Sequence, residues 1–228
     1  MRGLSRLRRL LYVVFGAAAV LGLAAAGVAL GVNPGKEKVA LTPAGQALAK
    51  AEVLRRTDFT GSVWSGGAKK PDLSQTATCS SYQPKQSDLV LIGAAETLWK
   101  APPIMMDSTA EVLKTTAMVQ RDWQRSIAAP QALSCMRQGF AHAFGPKAPL
   151  RSFRRVAFPS VASYTRAFRG IADAHTPKGT IRIELDLVAL AWGRSEITLG
   201  ITGPAASHVA LRAMAQRAAV ALASRMRP

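Results

Sequence analysis

Acidic residues are scarce in this chain of 228: 13 Asp and Glu stand against 30 Lys and Arg, for a formal net charge of +17. A surface so charged favours anionic partners, although a solvated arginine-rich face is the bland alternative. Cysteine is scarcer, with Cys79 and Cys135 alone and 55 residues between them. There is no CxxC, and zinc sites use about four ligands at short spacings. The three histidines, His142, His175 and His208, fall in separate segments with no HExxH or HxH spacing. No metal and no cofactor is therefore expected. Also missing are a GxSxG elbow, a Walker loop and a GxGxxG turn, which removes the familiar hydrolase and nucleotide signatures. There is no internal repeat, and the one compositionally biased tract is an alanine-rich apolar segment near the start.

That segment is what is present in excess. Residues 1–9 carry Arg2, Arg6, Arg8 and Arg9 and no acid, and residues 10–32 are 23 uncharged, mostly apolar residues. About 20 such residues cross a bilayer core, and the arginines place the N-terminus in the cytoplasm. The reading is a cytoplasmic stub (1–9), a transmembrane anchor (10–32), a linker (33–40) and an extracytoplasmic domain (41–228). A cleaved signal peptide, ending near Ala24–Ala26, remains the second reading, and the protein would then be secreted. A buried soluble helix is the third. With no cysteine at the end of the apolar run, a lipidated N-terminus is excluded. Beyond residue 40 the balance is 24 basic residues to 12 acidic.

Export oxidises thiols, and an even count of two invites a disulfide. Cys79 is expected to pair with Cys135, fastening a long loop to a helix. Closing a loop of that length is worth about 4 kcal/mol in the chain-entropy model.

The pattern predicts the following elements. A helix runs through "LTPAGQALAKAEVLRR", with Thr42 as cap and Pro43 at its first position. Residues 58–85 read as irregular loop, with Trp64 folding back on the core. "SDLVLIGAAETLWKA" and "PPIMMDSTAEVL" pair as antiparallel strands. Val112, Thr116, Val119, Trp123 and Ile127 make one helical stripe, and Leu133, Met136, Phe140 and Ala143 make another in the helix after Pro130. "LRSFRRVAFP" and "VASYTRAFRGIA" read as strands. Ile181, Ile183, Leu185 and Leu187 alternate with Arg182, Glu184 and Asp186, turn at Trp192–Arg194, and return through Ile197, Leu199 and Ile201. A last helix buries Leu211, Met214, Ala215, Ala218 and Leu222. Short connections between strands, with helices grouped apart, imply an α+β domain with an antiparallel sheet covered by helices.

Among chemistry-bearing residues, Asp173 and His175 are close in sequence, but "ADAHTPKG" reads as a surface loop and not as a catalytic pair. Glu184 and Asp186 share a strand face, where ion pairing with Arg194 or with arginines 151–155 explains them. Arg151, Arg154, Arg155, Arg166 and Arg169 fall within nineteen residues on adjoining strands. Arg154 or Arg155 sharing a face with Arg166 would form a positive patch on the uncovered side of the sheet, with Phe153, Tyr164 and Phe168 interleaved. Arg154, Arg155, Arg166 and Arg169 are the candidate ligand-binding residues. Basic and aromatic residues on a sheet also suit single-stranded nucleic acid, which export argues against. Anionic lipid, wall polymer or another envelope protein is the expected partner.

The segments "LTPAGQALAKAEVLRRTDF", "KKPDLSQTATC", "KQSDLVLIGAAET", "DSTAEVLKTTAMVQRDWQR", "SFRRVAFP" and "LDLVALAWGRSEITLGITGP" together resemble a group of secreted or membrane-anchored proteins of high-GC Gram-positive (actinobacterial) bacteria. The likeness spans roughly residues 41–226. The stretch around Cys135 is also faintly similar to extracellular sensor domains of bacterial Ser/Thr kinases. The resemblance implies a non-enzymatic extracytoplasmic domain, with a PsbP- or Mog1-like sheet and helices, and supplies no catalytic residues. A lipid carrier with an apolar cavity is the alternative function, and an enzyme with an unfamiliar site the less favoured one.

Overall fold

The alternation of apolar and charged residues over 181–187 produces what it requires, a long strand with two unlike faces. β7 (Gly179–Trp192) turns back through Gly193, at φ +58°, into β8 (Ser195–Pro204). The computed structural model describes residues 37–73, 82–177 and 179–227. Before this hairpin come β1 (Lys38–Val39), α1 (Pro43–Glu52), β2 (Ser65–Lys69), β3 (Val90–Ala101) and β4 (Ile104–Leu113). They are followed by α2 (Thr116–Asp122), which continues as a π turn over Trp123–Ala128, then α3 (Ala132–Phe144), β5 (Leu150–Val156) and β6 (Tyr164–Thr176). The closing helix is α4 (His208–Met226).

Among the described residues, eight strands form one mixed sheet in the order β1-β3-β4-β8-β7-β6-β5, with β2 also paired to β3. The α+β class expected from the sequence holds, but the sheet is not wholly antiparallel. β1 lies parallel to β3, and β2 lies antiparallel along the same edge of β3. Both short strands fall where linker and loop were expected. Neither carries an apolar face of its own; they exist because the edge of β3 offers backbone partners. Lys38 N donates to Leu89 O at 3.0 Å and Ala40 N to Leu91 O at 2.8 Å.

Helices cover both faces, so the uncovered side expected for the sheet is only partial. On one face α1, the two residues after it and α4 bury Ala49, Val53, Leu54, Leu211, Ala215, Ala219 and Leu222 against Met106, Val188, Leu190, Ile197 and Leu199. On the other face, α3 sets Met136, Phe140 and Phe144 on Phe153, Phe168, Leu185 and Leu187. The end of that face packs Val119 and Trp123 over Leu91, Ala94, Leu113 and Ala191. Three details of the expected stripes change, the first being that Thr116 is exposed. Val112 belongs to β4, and Phe144, not Ala143, is the buried end of the α3 stripe.

α1 starts as its sequence specifies, with Thr42 Oγ1 accepting from Gly45 N at 3.0 Å and Pro43 in the first turn. Its far end is tied into the core: Leu54 N donates to Ser108 Oγ at 2.8 Å, and Trp99 Nε1 donates to Leu54 O at 3.3 Å. Trp64 does fold back, stacking on Phe59 with ring centres 4.4 Å apart. Arg225 near the end of α4 closes the layer by bonding Val53 O at 2.9 Å and the Asp58 carboxylate.

Candidate functional site

Register separates the β5–β6 arginines that sequence placed in one patch. Arg154 lies opposite Arg169, and Arg155 lies opposite Phe168. Successive strand residues face opposite sides, so Arg155 shares a face with Arg166, while Arg154 goes with Arg169.

Arg169 is not a free charge. It is 9% exposed, and its Nε and Nη2 donate to the two Asp186 oxygens at 2.7 and 2.8 Å. Glu184 lies 3.2 Å from Nε, and Nη1 reaches His208 Nε2 at 3.3 Å. A guanidinium only donates. His208 Nε2 is thus the acceptor, and its Nδ1 carries the proton shared with Glu184 Oε1 at 2.9 Å. The paired Asp186 holds the Arg169 guanidinium above its ordinary range, against the opposing effect of burial. Arg169 and its carboxylates form a structural network at the foot of α4, and the partner sequence reasoning sought in Arg194 or arginines 151–155 is Arg169. Arg151 and Arg182 bind Asp173 at 2.8 and 2.9 Å and hold its carboxyl below the usual range, Arg182 first. His175 bonds Thr180 at 3.0 Å at the exposed hairpin end.

Arg154, Arg155 and Arg166 remain, all exposed and in no ion pair among the described residues. Arg155 and Arg166 line a groove of about 410 Å³ at the open end of β5 and β6, with Val156, Ala157, Phe158, Thr165 and Ala167. Thr165 shapes its wall, since Oγ1 accepts from Val161 N and Ala162 N at 3.2 Å and pins the connection between the strands. Two guanidinium groups without a carboxylate partner beside one groove suit a phosphate or carboxylate ligand.

A second polar region escaped the sequence reading. Glu96, Asp107, Thr109, Glu111, Glu196 and Thr198 occupy one face of β3, β4 and β8. Glu96 pairs with Lys69 at 2.8 Å. Asp107 is 7% exposed, with Oδ2 unpartnered, and lies across Gly200, where an added Cβ would sit 2.5 Å from Oδ1. Burial, then Glu96, pushes the Asp107 carboxyl up to about 8. On the opposite face Glu52 bonds Ser195 Oγ at 2.9 Å and leaves Oε2 unpartnered. Burial raises its carboxyl to about 7, with the Ser195 bond opposing. The acids look ordinary in sequence because polar residues at alternate strand positions read as a solvated face. Among the described residues, no three His, Cys, Asp or Glu are placed to hold a metal ion.

Glu52 supplies a pH prediction. A carboxyl raised in the fold stabilises it most below its unfolded value, and that stability is lost as pH rises through the folded value. The loss falls between about pH 4.5 and pH 7, and is worth up to about 3 kcal/mol. Glu52→Gln is expected to flatten this part of the curve and to raise stability near pH 8. Urea denaturation of both proteins across that range measures it, and parallel curves would refute the assignment.

Cys135 is buried on α3 and disulfide-bonded; its expected partner Cys79 lies outside the described residues, as do residues 1–9, expected to be a cytoplasmic stub, the 10–32 segment and most of the expected linker. No described helix is long and apolar enough to cross a membrane. No family model, curated protein or solved structure matches the chain.

Proposed function

We propose that the chain is a non-enzymatic extracytoplasmic domain, tethered or exported through residues 10–32, that binds an anionic ligand of the cell envelope in the Arg155–Arg166 groove. The observation that carries this is a contrast in pairing. Arg121, Arg125, Arg151, Arg169, Arg182 and Arg225 are each bound to a carboxylate. Arg155 and Arg166 stand without one beside a groove. A cation left unpaired near acids that pair elsewhere is available to a ligand at no cost of a broken ion pair. The finer reading of the architecture as PsbP/Mog1-like belongs to the same proposal, supported by helices on both faces of a mainly antiparallel sheet.

The test is binding of the full chain to vesicles containing phosphatidylglycerol and, separately, to soluble glycerol-phosphate oligomers. Arg155→Ala with Arg166→Ala should weaken binding by roughly tenfold or more, since each charged hydrogen bond is worth about 1.5–3 kcal/mol. Wild-type affinity should also fall as salt rises. Stability should change by no more than about 0.5 kcal/mol, because both side chains are exposed. No binding to either probe, or equal binding by the double variant, would defeat the proposal.

A further inference from the structure

Residues 123–172 contain no Asp and no Glu, yet they carry every arginine of β5 and β6. Carboxylates for these arginines must come from outside that stretch. Arg169 takes Asp186 from β7, and Arg151 takes Asp173 from the end of β6. Arg154 and Arg155 take none: both are exposed and in no ion pair among the described residues.

Elsewhere this sheet matches Arg to Asp on neighbouring strands. Arg169 is directly opposite Asp186, with Nε and Nη2 donating at 2.7 and 2.8 Å. Arg182 is directly opposite Asp173, with Nε donating to Oδ1 at 2.9 Å. β5 has a neighbour on one side only, and that neighbour brings the wrong charge. Arg154 lies opposite Arg169, and Arg155 lies opposite Phe168 with Arg166 on the diagonal. Like charges directly opposed are unfavourable, and opposite charges there are favourable. Acids able to match Arg154 and Arg155 must therefore stand on a strand outside β5.

That position is open. β5 ends the sheet among the described residues, whereas β1 and β2 close the other margin. Past a bulge between Leu150 and Ser152, β5 runs in register from Ser152 to Val156. Alternate residues turn their N–H and C=O groups away from β6, giving an edge about 17 Å long. A second copy of β5 would bring its own arginines against these. A lipid headgroup or phosphate polymer would bring charge but no backbone groups to fill the edge.

We propose that the free edge of β5 receives an acidic extended segment of another protein, which adds as a further strand and sets two successive acidic residues opposite Arg154 and Arg155. Successive strand residues face opposite sides, so one acid meets Arg154 and the next meets Arg155. Backbone bonds hold the segment, and the paired acids select it. Arg154 does not line the groove that holds Arg155 and Arg166, so the strand site can fail while the groove's ligand stands, and the reverse.

The probe is a short end-capped synthetic peptide of Val and Thr, both strand formers, with Glu-Asp at its centre. Calorimetric titration of the full chain measures binding, and hydrogen exchange locates it. The peptide should bind and should slow exchange within Ser152–Val156 roughly tenfold or more. Replacing Glu-Asp by Gln-Asn, or N-methylating the peptide backbone, should each weaken binding roughly tenfold or more. Arg154→Ala should weaken peptide binding to the same degree and leave binding to phosphatidylglycerol vesicles nearly unchanged. Arg154→Glu combined with Arg155→Glu should lose the acidic peptide and gain one with Lys-Lys at its centre, a gain that only a folded edge can give. No binding of the acidic peptide, equal binding after N-methylation, or indifference to Arg154 would overturn the proposal.

Discussion

Substituting Arg169 by leucine is expected to cost about 3–5 kcal/mol of stability, because it strands two buried carboxylates. Glu184 and Asp186 are 3% and 5% exposed, and the guanidinium between them is their cationic partner. The loss should appear as a lower denaturation midpoint. It should shrink when Asp186→Leu is combined with Arg169→Leu, since the pair would then be removed together. A cost below about 1 kcal/mol would show that solvent screens the network after all. The same experiment separates Arg169 from the groove arginines, whose removal is expected to leave the midpoint nearly unmoved.

Gly93→Ala should be as damaging for a different reason. The first turn of α1 lies against the backbone of β3, and a Cβ on Gly93 would fall inside van der Waals contact of the Gly45 carbonyl. A Cβ on Gly45 would meet the Ile92 carbonyl in the same way. Both obstacles are main chain, so neither can rotate aside, which puts the cost at the upper end of the range typical of overpacking, about 1–3 kcal/mol. β3 is bulged between Leu91 and Gly93, and Gln46 of α1 accepts from Ala94 N at 3.2 Å. Pushing α1 away would break that bond too. Gly139→Ala is the control: nothing lies within 4 Å of its added Cβ on α3, so it should be neutral or stabilising by about 0.5–1 kcal/mol. Denaturant midpoints of the variants decide the matter, and similar values would refute the close-approach argument.

The elements legible in the sequence are those whose own side chains dictate them. Thr42 and Pro43 announce α1, and the alternation from Ile181 to Ile201 announces β7 and β8. β1 and β2 were not legible, because "KV" and "SGGAK" become strands only through the backbone of β3. Arg169 was half legible. The turn at Thr176–Gly179 fixes the β6–β7 register and so brings Arg169 opposite Asp186, but the turn must be placed to within a residue. The acid cluster was not legible at all. Glu111 meets Glu196 across strands 85 residues apart in sequence, and nothing in either segment announces that register.

The two margins of the sheet are finished in unlike ways, and this bears on self-association. An open strand edge is a template on which another chain can add. On one side β1 and β2 divide the length of β3 between them and occupy much of its free backbone. On the other side β5 is bare, but Arg151, Arg154 and Arg155 line it. Two copies approaching margin to margin would set these arginine rows against each other. The arginines proposed to meet a ligand would thereby also oppose growth of the sheet into a polymer.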